Sequence, residues 1–183
     1  MSGLSGDKIL VTGALGQIGT ELVEALRKKH GESSVIASDL RPIDQVEERE
    51  GSYIQLDVLD TDLIVKVCKE EGVGTVYHLA ALLSATGEKN PALCRKVNVG
   101  GTISVFEAAR QCSMRVFTPS SIAVFGPDAP KHAPQFTDLN PTTVYGETKV
   151  EGEQLAKEYE QKYGLDIRGI RYPGLISYKA PAG

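Results

Sequence analysis

Cysteine is scarce and never paired at short spacing. Cys68, Cys94 and Cys112 are widely separated and odd in number. Zinc and dithiol chemistry are therefore set aside, and the thiols read as small side chains of a reducing compartment. His30, His78 and His132 show no metal-ligand spacing, so no metal site is expected. A cationic surplus is missing as well. Twenty Lys and Arg stand against 24 Asp and Glu, a net charge of −4, which offers nucleic acid or an anionic membrane no basic surface. No apolar run approaches the roughly 20 residues of a membrane span. The first seven residues are too short and polar for a signal peptide, and no Arg-rich transit pattern is present. These absences lead to the expectation of a cytoplasmic protein. Internal repeats, low-complexity segments and long linkers are absent too. The 183 residues read as one domain with a sizeable core.

What is present is an alternation of strands and helices. Apolar runs at Lys8 to Thr12, Ser34 to Asp39, Ser52 to Val58, Gly74 to Ala81, Arg115 to Ser121 and Asp166 to Tyr172 read as strands. Helical spacing marks the stretches from Gln17, from Thr61, from Pro91 to Gln111 and from Tyr145. The Pro- and Asp-rich stretch from Gly126 to Thr143 reads as a loop. This order predicts an α/β fold, a doubly wound parallel sheet joined by right-handed crossovers.

Between the first strand and the first helix lies TGALGQIG, with Gly13, Gly16 and Gly19 flanking Gln17 and Ile18. Glycine allows the tight turn and lets a pyrophosphate approach the backbone, and the helix start supplies free N–H groups. Asp39 ends the second strand, where a carboxylate accepts hydrogen bonds from an adenosine ribose. It would repel a 2′-phosphate, so NAD is expected over NADP. Asp57 and Val58 lie at the end of the third strand, within reach of an adenine. The small residues of His78-Leu79-Ala80-Ala81 end the fourth strand where backbone passes close to the cofactor. His78 itself reads as structural.

Tyr145 and Lys149 are one turn apart on a single helix face. A lysine ammonium and an oxidised nicotinamide both favour a phenolate, the form that takes a proton from an alcohol. Ser120 and Ser121 end the fifth strand at the same sheet edge, and a serine hydroxyl there can hold a substrate oxygen.

GALGQIG, HLAA, NVGGT, SSIAVFG and YGETK occur in the order found in the extended short-chain dehydrogenase/reductase family, which the chain resembles over nearly all its length. HLAALLSATGEKNP, SSIAVFGPDAPK and RYPGLISYKAPAG are most similar to the NAD-dependent L-threonine 3-dehydrogenases of short-chain type. The resemblance implies oxidation of L-threonine at its β-hydroxyl to 2-amino-3-oxobutanoate. It makes Tyr145 the general base and Ser121 the hydroxyl that holds the substrate oxygen, a position where many threonine dehydrogenases carry Thr. Lys149 would bind the nicotinamide ribose and lower the tyrosine pKa. Ser84 and Ser120 would line the substrate pocket. Tyr172, Pro173 and Gly174 would line the nicotinamide end, with Gly174 next to the substrate. Asn98 would be a helix-embedded structural residue near the cofactor. The resemblance also implies a small C-terminal lobe that closes over the substrate, and that lobe is expected to be absent from these 183 residues. Nucleotide-sugar epimerases and dehydratases share the same core, and a non-catalytic NAD-binding module is a third reading. Val97 to Ala109 is apolar on more than one face. One face is therefore expected to pack outside its own sheet, and the resemblance implies that the 91–111 and 145–163 helices pair with their copies in a homodimer.

Overall fold

The computed structural model of the chain describes residues 7–46 and 51–178. Its elements run β1 (Lys8–Thr12), α1 (Gln17–His30), β2 (Val35–Asp39), β3 (Tyr53–Gln55), α2 (Thr61–Glu71), β4 (Val73–His78) and α3 (Ser84–Lys89). There follow α4 (Pro91–Arg95), a π-helical turn over 96–100, α5 (Gly101–Cys112), β5 (Arg115–Phe117), β6 (Ser120–Ser121), α6 (Val144–Tyr163), β7 (Ile167–Arg168) and β8 (Arg171–Tyr172). The main sheet has the order β3-β2-β1-β4-β5-β7, and every pair in it is parallel. Strand order reverses between β1 and β4, which opens a crevice at their C-terminal ends, where ligands bind in such sheets. The doubly wound α/β fold read from the sequence is therefore the observed one.

Two apolar clusters hold the layers. Leu10, Ile36, Val76, Val105, Phe106 and Val116 belong to one that joins the sheet to α2, α5 and α6. Val11, Val23, Leu26, Val35 and Ala37 form the other, between the sheet and α1. The helices that carry these faces start on local caps. Asp60 accepts from the Leu63 amide at 2.9 Å, and Thr143 accepts from the Gly146 amide at 3.0 Å.

Five expected elements differ in outline. The strand expected over 52–58 is limited to Tyr53–Gln55. The fourth ends at His78, which leaves Leu79, Ala80 and Ala81 as the loop at the crevice. The fifth and sixth strands are each cut in two. Pro119 has no N–H for the ladder, and opposite it a Cβ on Gly169 would clash with the Thr118 carbonyl. The ladder resumes with Ser120 N–H on the Ile170 carbonyl at 2.8 Å, in a separate two-stranded sheet of β6 and β8. The single helix expected over 91–111 is α4, the π turn and α5. Asn98 lies in that π turn, with its side chain bonded to both backbone groups of Leu82. Helix α3 was not expected, because Gly87 interrupts its pattern. In the fold Gly87 is buried against Cys94, where a Cβ would stand 2.7 Å from the thiol sulfur.

Phe106 is fully buried on α5, and its ring meets Tyr159 of α6 at 5.4 Å. Phe106→Ala removes the main apolar tie between the two helices. We expect a loss of about 3–5 kcal/mol in urea unfolding with an unchanged denaturant slope. A loss under about 1 kcal/mol would show that the α5–α6 layer is not held by this ring.

Candidate active site

The β1–α1 turn is built on contact-distance packing. Gly13 has a φ of 68°, and a Cβ there would stand 2.6 Å from the Ala80 amide nitrogen. A Cβ on Gly19 would stand 2.7 Å from the Ala14 Cα. The turn is thus pressed onto the loop after β4, and its bare backbone faces the crevice. Among the described residues, no side chain caps the start of α1. Its first N–H groups and positive dipole end are therefore available to an anion. A cradle that a Cβ would fill, at a free helix start, fits the pyrophosphate of NAD.

The crevice is a cleft of about 430 Å³. It brings together Gly13, Gly16, Gln17, Ile18 and Gly19 from the turn with Leu79 and Ala81 from the β4 end. Ser84 from α3 and Ser120 and Ser121 from β6 form the next wall. Tyr145 and Lys149 from α6, with Tyr172 and Pro173 from β8, complete it. Leu83, Pro119 and Leu175 also line the cleft and were not anticipated. Pro119 carried a sequence signal, a proline within a predicted strand beside two serines. Leu83 and Leu175 carried none.

The remaining candidates lie outside this lining. Asp39 is at the end of β2, as expected, and its two oxygens accept from the Leu15 and Leu40 amides at 3.2 and 2.9 Å. Each oxygen keeps a lone pair for a ribose hydroxyl. Asp57 accepts from the Leu59 amide at 2.9 Å in the turn before α2. Val58 is buried in the main core, so only its backbone is offered to an adenine. Ala80 packs against the same core. Asn98 is buried; its amide nitrogen donates to the Leu82 carbonyl at 3.0 Å and to Thr148 at 3.1 Å. That clamp ties the loop after β4 to α6. Gly174 has open space where a Cβ would be.

Tyr145 and Lys149 share one helix face, and the ammonium lies 5.5 Å from the phenol ring centroid. The first turns of α6 are fixed from several sides. Glu88 accepts from the Tyr145 amide at 3.3 Å, Thr148 donates to the Tyr145 carbonyl at 2.7 Å, and Arg95 pairs with Glu147 and Glu151. The Lys149 ammonium donates to the Pro119 carbonyl at 3.1 Å, and burial lowers its pKa to about 8. Burial raises the Tyr145 phenol above its ordinary value, while a hydrogen bond with Ser121 pulls it back. The net direction is opposite to the lowering that the resemblance implies. Enclosure outweighs the neighbouring groups, and the Lys149 ammonium is directed at Pro119. Glu153, one turn beyond Lys149, takes a two-pronged ion pair from Arg171 at 2.7 and 2.8 Å and a bond from Ser120 at 2.6 Å. It joins α6 to β6 and β8, and sequence reasoning missed it because its partners lie 18 and 33 residues away.

Burial of the Lys149 charge disfavours folding while the ammonium is protonated. With a folded pKa near 8 and an unfolded value of 10.5, the unfolded chain binds more protons between these limits. This penalty is complete below pH 8 and fades as pH rises to 10.5. Lys149→Met should therefore be more stable than the parent at neutral pH, by on the order of 1–3 kcal/mol, with a gap that narrows in alkali. Equal stability of the two proteins across that range would mean that the charge is well solvated.

Residues 9–183 match the family model described as the NAD dependent epimerase/dehydratase family. A curated relative from Staphylococcus aureus, described as an uncharacterized epimerase/dehydratase, is 46% identical over 96% of this chain and 56% of its own length. A solved monomeric L-threonine 3-dehydrogenase from a metagenome is 53% identical with a TM-score of 0.90, over 94% of this chain and 55% of that one. The holo form of a GalE-like L-threonine dehydrogenase from Cupriavidus necator is 45% identical with a TM-score of 0.90, over 95% of this chain and 56% of that one. The chain thus spans a little over half the length of these relatives. By the match across nearly its whole length and by its glycine cradle, the chain belongs to the NAD-dependent epimerase/dehydratase family.

Proposed function

We propose that this chain is the NAD-binding, Tyr-Lys-bearing portion of a short-chain L-threonine 3-dehydrogenase. The observation that carries the reading is the convergence of Ser121, Tyr145 and Lys149 with the glycine turn in one cleft. Similarity at 53% and 45% identity to solved threonine dehydrogenases supports the substrate. NAD, when bound, accepts the hydride from the threonine Cβ. The Ser121 hydroxyl orients the β-oxygen, and the Tyr145 phenolate takes the hydroxyl proton, leaving 2-amino-3-oxobutanoate. Gly13 to Gly19 would hold the pyrophosphate, and Asp39 would accept from the adenosine ribose. Lys149, which donates to the Pro119 carbonyl, would hold the nicotinamide ribose, and there its charge would bear on a phenol that burial otherwise keeps protonated. Ser84 and Ser120 line the substrate side.

Among the described residues, the cleft lining contains one charged side chain, Lys149. The ammonium and carboxylate of an amino acid thus find few charged partners in it. A lobe that closes over the site would supply them, as well as exclude water. A nucleotide-sugar substrate is the second reading, favoured by the epimerase/dehydratase description of the Staphylococcus relative. A third element of the reading is assembly as a homodimer through the α4–α5 and α6 helices. Leu93 and Ile103 are 42% and 41% exposed there.

The test is NADH absorbance with L-threonine, using this chain and a version extended to the length of its relatives. In the extended version we expect threonine-dependent NADH, and no change in the ring configuration of a UDP-hexose. Tyr145→Phe should cut turnover by roughly two to four orders of magnitude with NAD affinity nearly intact. NAD should bind this chain more tightly than NADP because of Asp39. Sugar epimerisation without threonine oxidation would replace the proposal with the second reading. For assembly, we expect sedimentation equilibrium at micromolar concentration to give a dimer; a monomer, as the metagenome enzyme is described, would remove that element.

A further inference from the structure

Buried polar side chains outside the cleft form one continuous chain. Thr12, His78, Thr102, Asn98 and Thr148 are each less than 9% exposed, on five different segments. The donors can be assigned from the partners alone. Thr102 Oγ1 lies 2.6 Å from the Asn98 carbonyl, which only accepts, so the Thr102 proton is committed there. Thr102 therefore faces His78 Nε2, at 3.5 Å, as an acceptor, and the proton on that contact belongs to the ring. At the other nitrogen, Thr12 Oγ1 lies 2.9 Å from His78 Nδ1 and also receives the Ala80 amide at 3.5 Å. Thr12 thus donates to Nδ1. Beyond Asn98, the side-chain amide donates to Thr148, and Thr148 donates to the Tyr145 carbonyl. A ring protonated on Nδ1 instead would leave the Thr12 proton without a partner and set two lone pairs face to face at Thr102. Such losses are costly where no water can repair them. Burial also disfavours the charged ring, and so does the nearby Lys149 ammonium.

We infer that His78 is a positioning residue: as the neutral Nε2–H tautomer it fixes the end of β1, which leads into the glycine turn, against the helix that carries Tyr145. Thr12 is the last residue of β1, next to Gly13, and its strand partner is His78. From His78 the chain crosses to α5 through Thr102, and through Asn98 and Thr148 to the backbone of Tyr145. The glycine turn and the phenol, 132 residues apart in sequence counted from Gly13 to Tyr145, are thereby held in one frame. The importance of this for catalysis rests on the dehydrogenase reading above; the tautomer and the frame do not.

The first measurement is the imidazole nitrogen spectrum of the unaltered chain, labelled with nitrogen-15 in histidine. We expect the His78 ring as a single Nε2–H tautomer near neutral pH. An Nδ1–H or charged ring would overturn the inference, and so would a mixture. The second uses two substitutions that each keep half of the ring's hydrogen bonding. His78→Gln carries an amide donor at the reach of Nε2, and His78→Asn carries an oxygen near Nδ1. Hydrogen exchange is read at the Lys149 amide, which bonds the Tyr145 carbonyl within α6. We expect it to quicken by roughly ten-fold in His78→Asn and to stay within about two-fold of the parent in His78→Gln. NAD affinity should follow the same order. Equal behaviour of both variants would reduce His78 to a core filler and sink the proposal. Should neither variant fold, the tautomer in the unaltered chain decides alone. An absence of threonine turnover, with tautomer and exchange as expected, would remove the reaction but leave the positioning chain standing.

Discussion

The site depends on how closely the β1–α1 turn is pressed against the loop after β4. Gly13 leaves no room for a Cβ beside Ala80, and Gly19 leaves none beside Ala14. This contact sets the height at which the backbone N–H groups face the crevice. It sets the start of α1, and through the Ala80 amide on Thr12 it sets the polar chain that reaches α6. A larger residue at either glycine would lift the turn from the sheet. Asn98 serves the same end from the other side, by holding Leu82 through both backbone groups and Thr148 through its amide. Two elements far apart in sequence, the glycine turn and the Tyr145 helix, are thus brought against one loop.

The same enclosure that orders the site works against the proton transfer proposed for it. Burial raises the Tyr145 phenol and lowers the Lys149 ammonium, so each group is driven toward its neutral form. A proton acceptor requires the opposite for the phenol. The arrangement is consistent with a site that gains its reactive charge state only with a cation near the phenol. Under the proposed dehydrogenase reading, that division of labour would keep a reactive phenolate from standing idle in the protein.

Much of this was legible in the sequence, and the reason is local. The glycine turn, Asp39 at a strand end and the Tyr145–Lys149 spacing are short-range patterns tied to one element each. The parallel sheet followed from the alternation of elements. What stayed hidden depends on distant partners. The chain from Thr12 through His78 and Thr102 to Thr148 joins residues that no periodicity connects, and His78 alone reads as an ordinary core histidine. The Glu153–Arg171 pair is hidden in the same way. Pro119 could have announced the break between β5 and β6; its counterpart Gly169 has meaning only once it lies beside Thr118. Helix α3 was obscured because Gly87 looks like a helix breaker until Cys94 is packed on it.

The most direct test of the account is a crystal structure of this chain with NAD bound. The account predicts the pyrophosphate over Gly13 to Gly19, the adenosine ribose on Asp39, and the nicotinamide beside Tyr145. It further predicts that the Lys149 ammonium has moved from the Pro119 carbonyl to the nicotinamide ribose. NAD bound away from the glycine turn, or a nicotinamide outside the cleft with Lys149 still on Pro119, would contradict it.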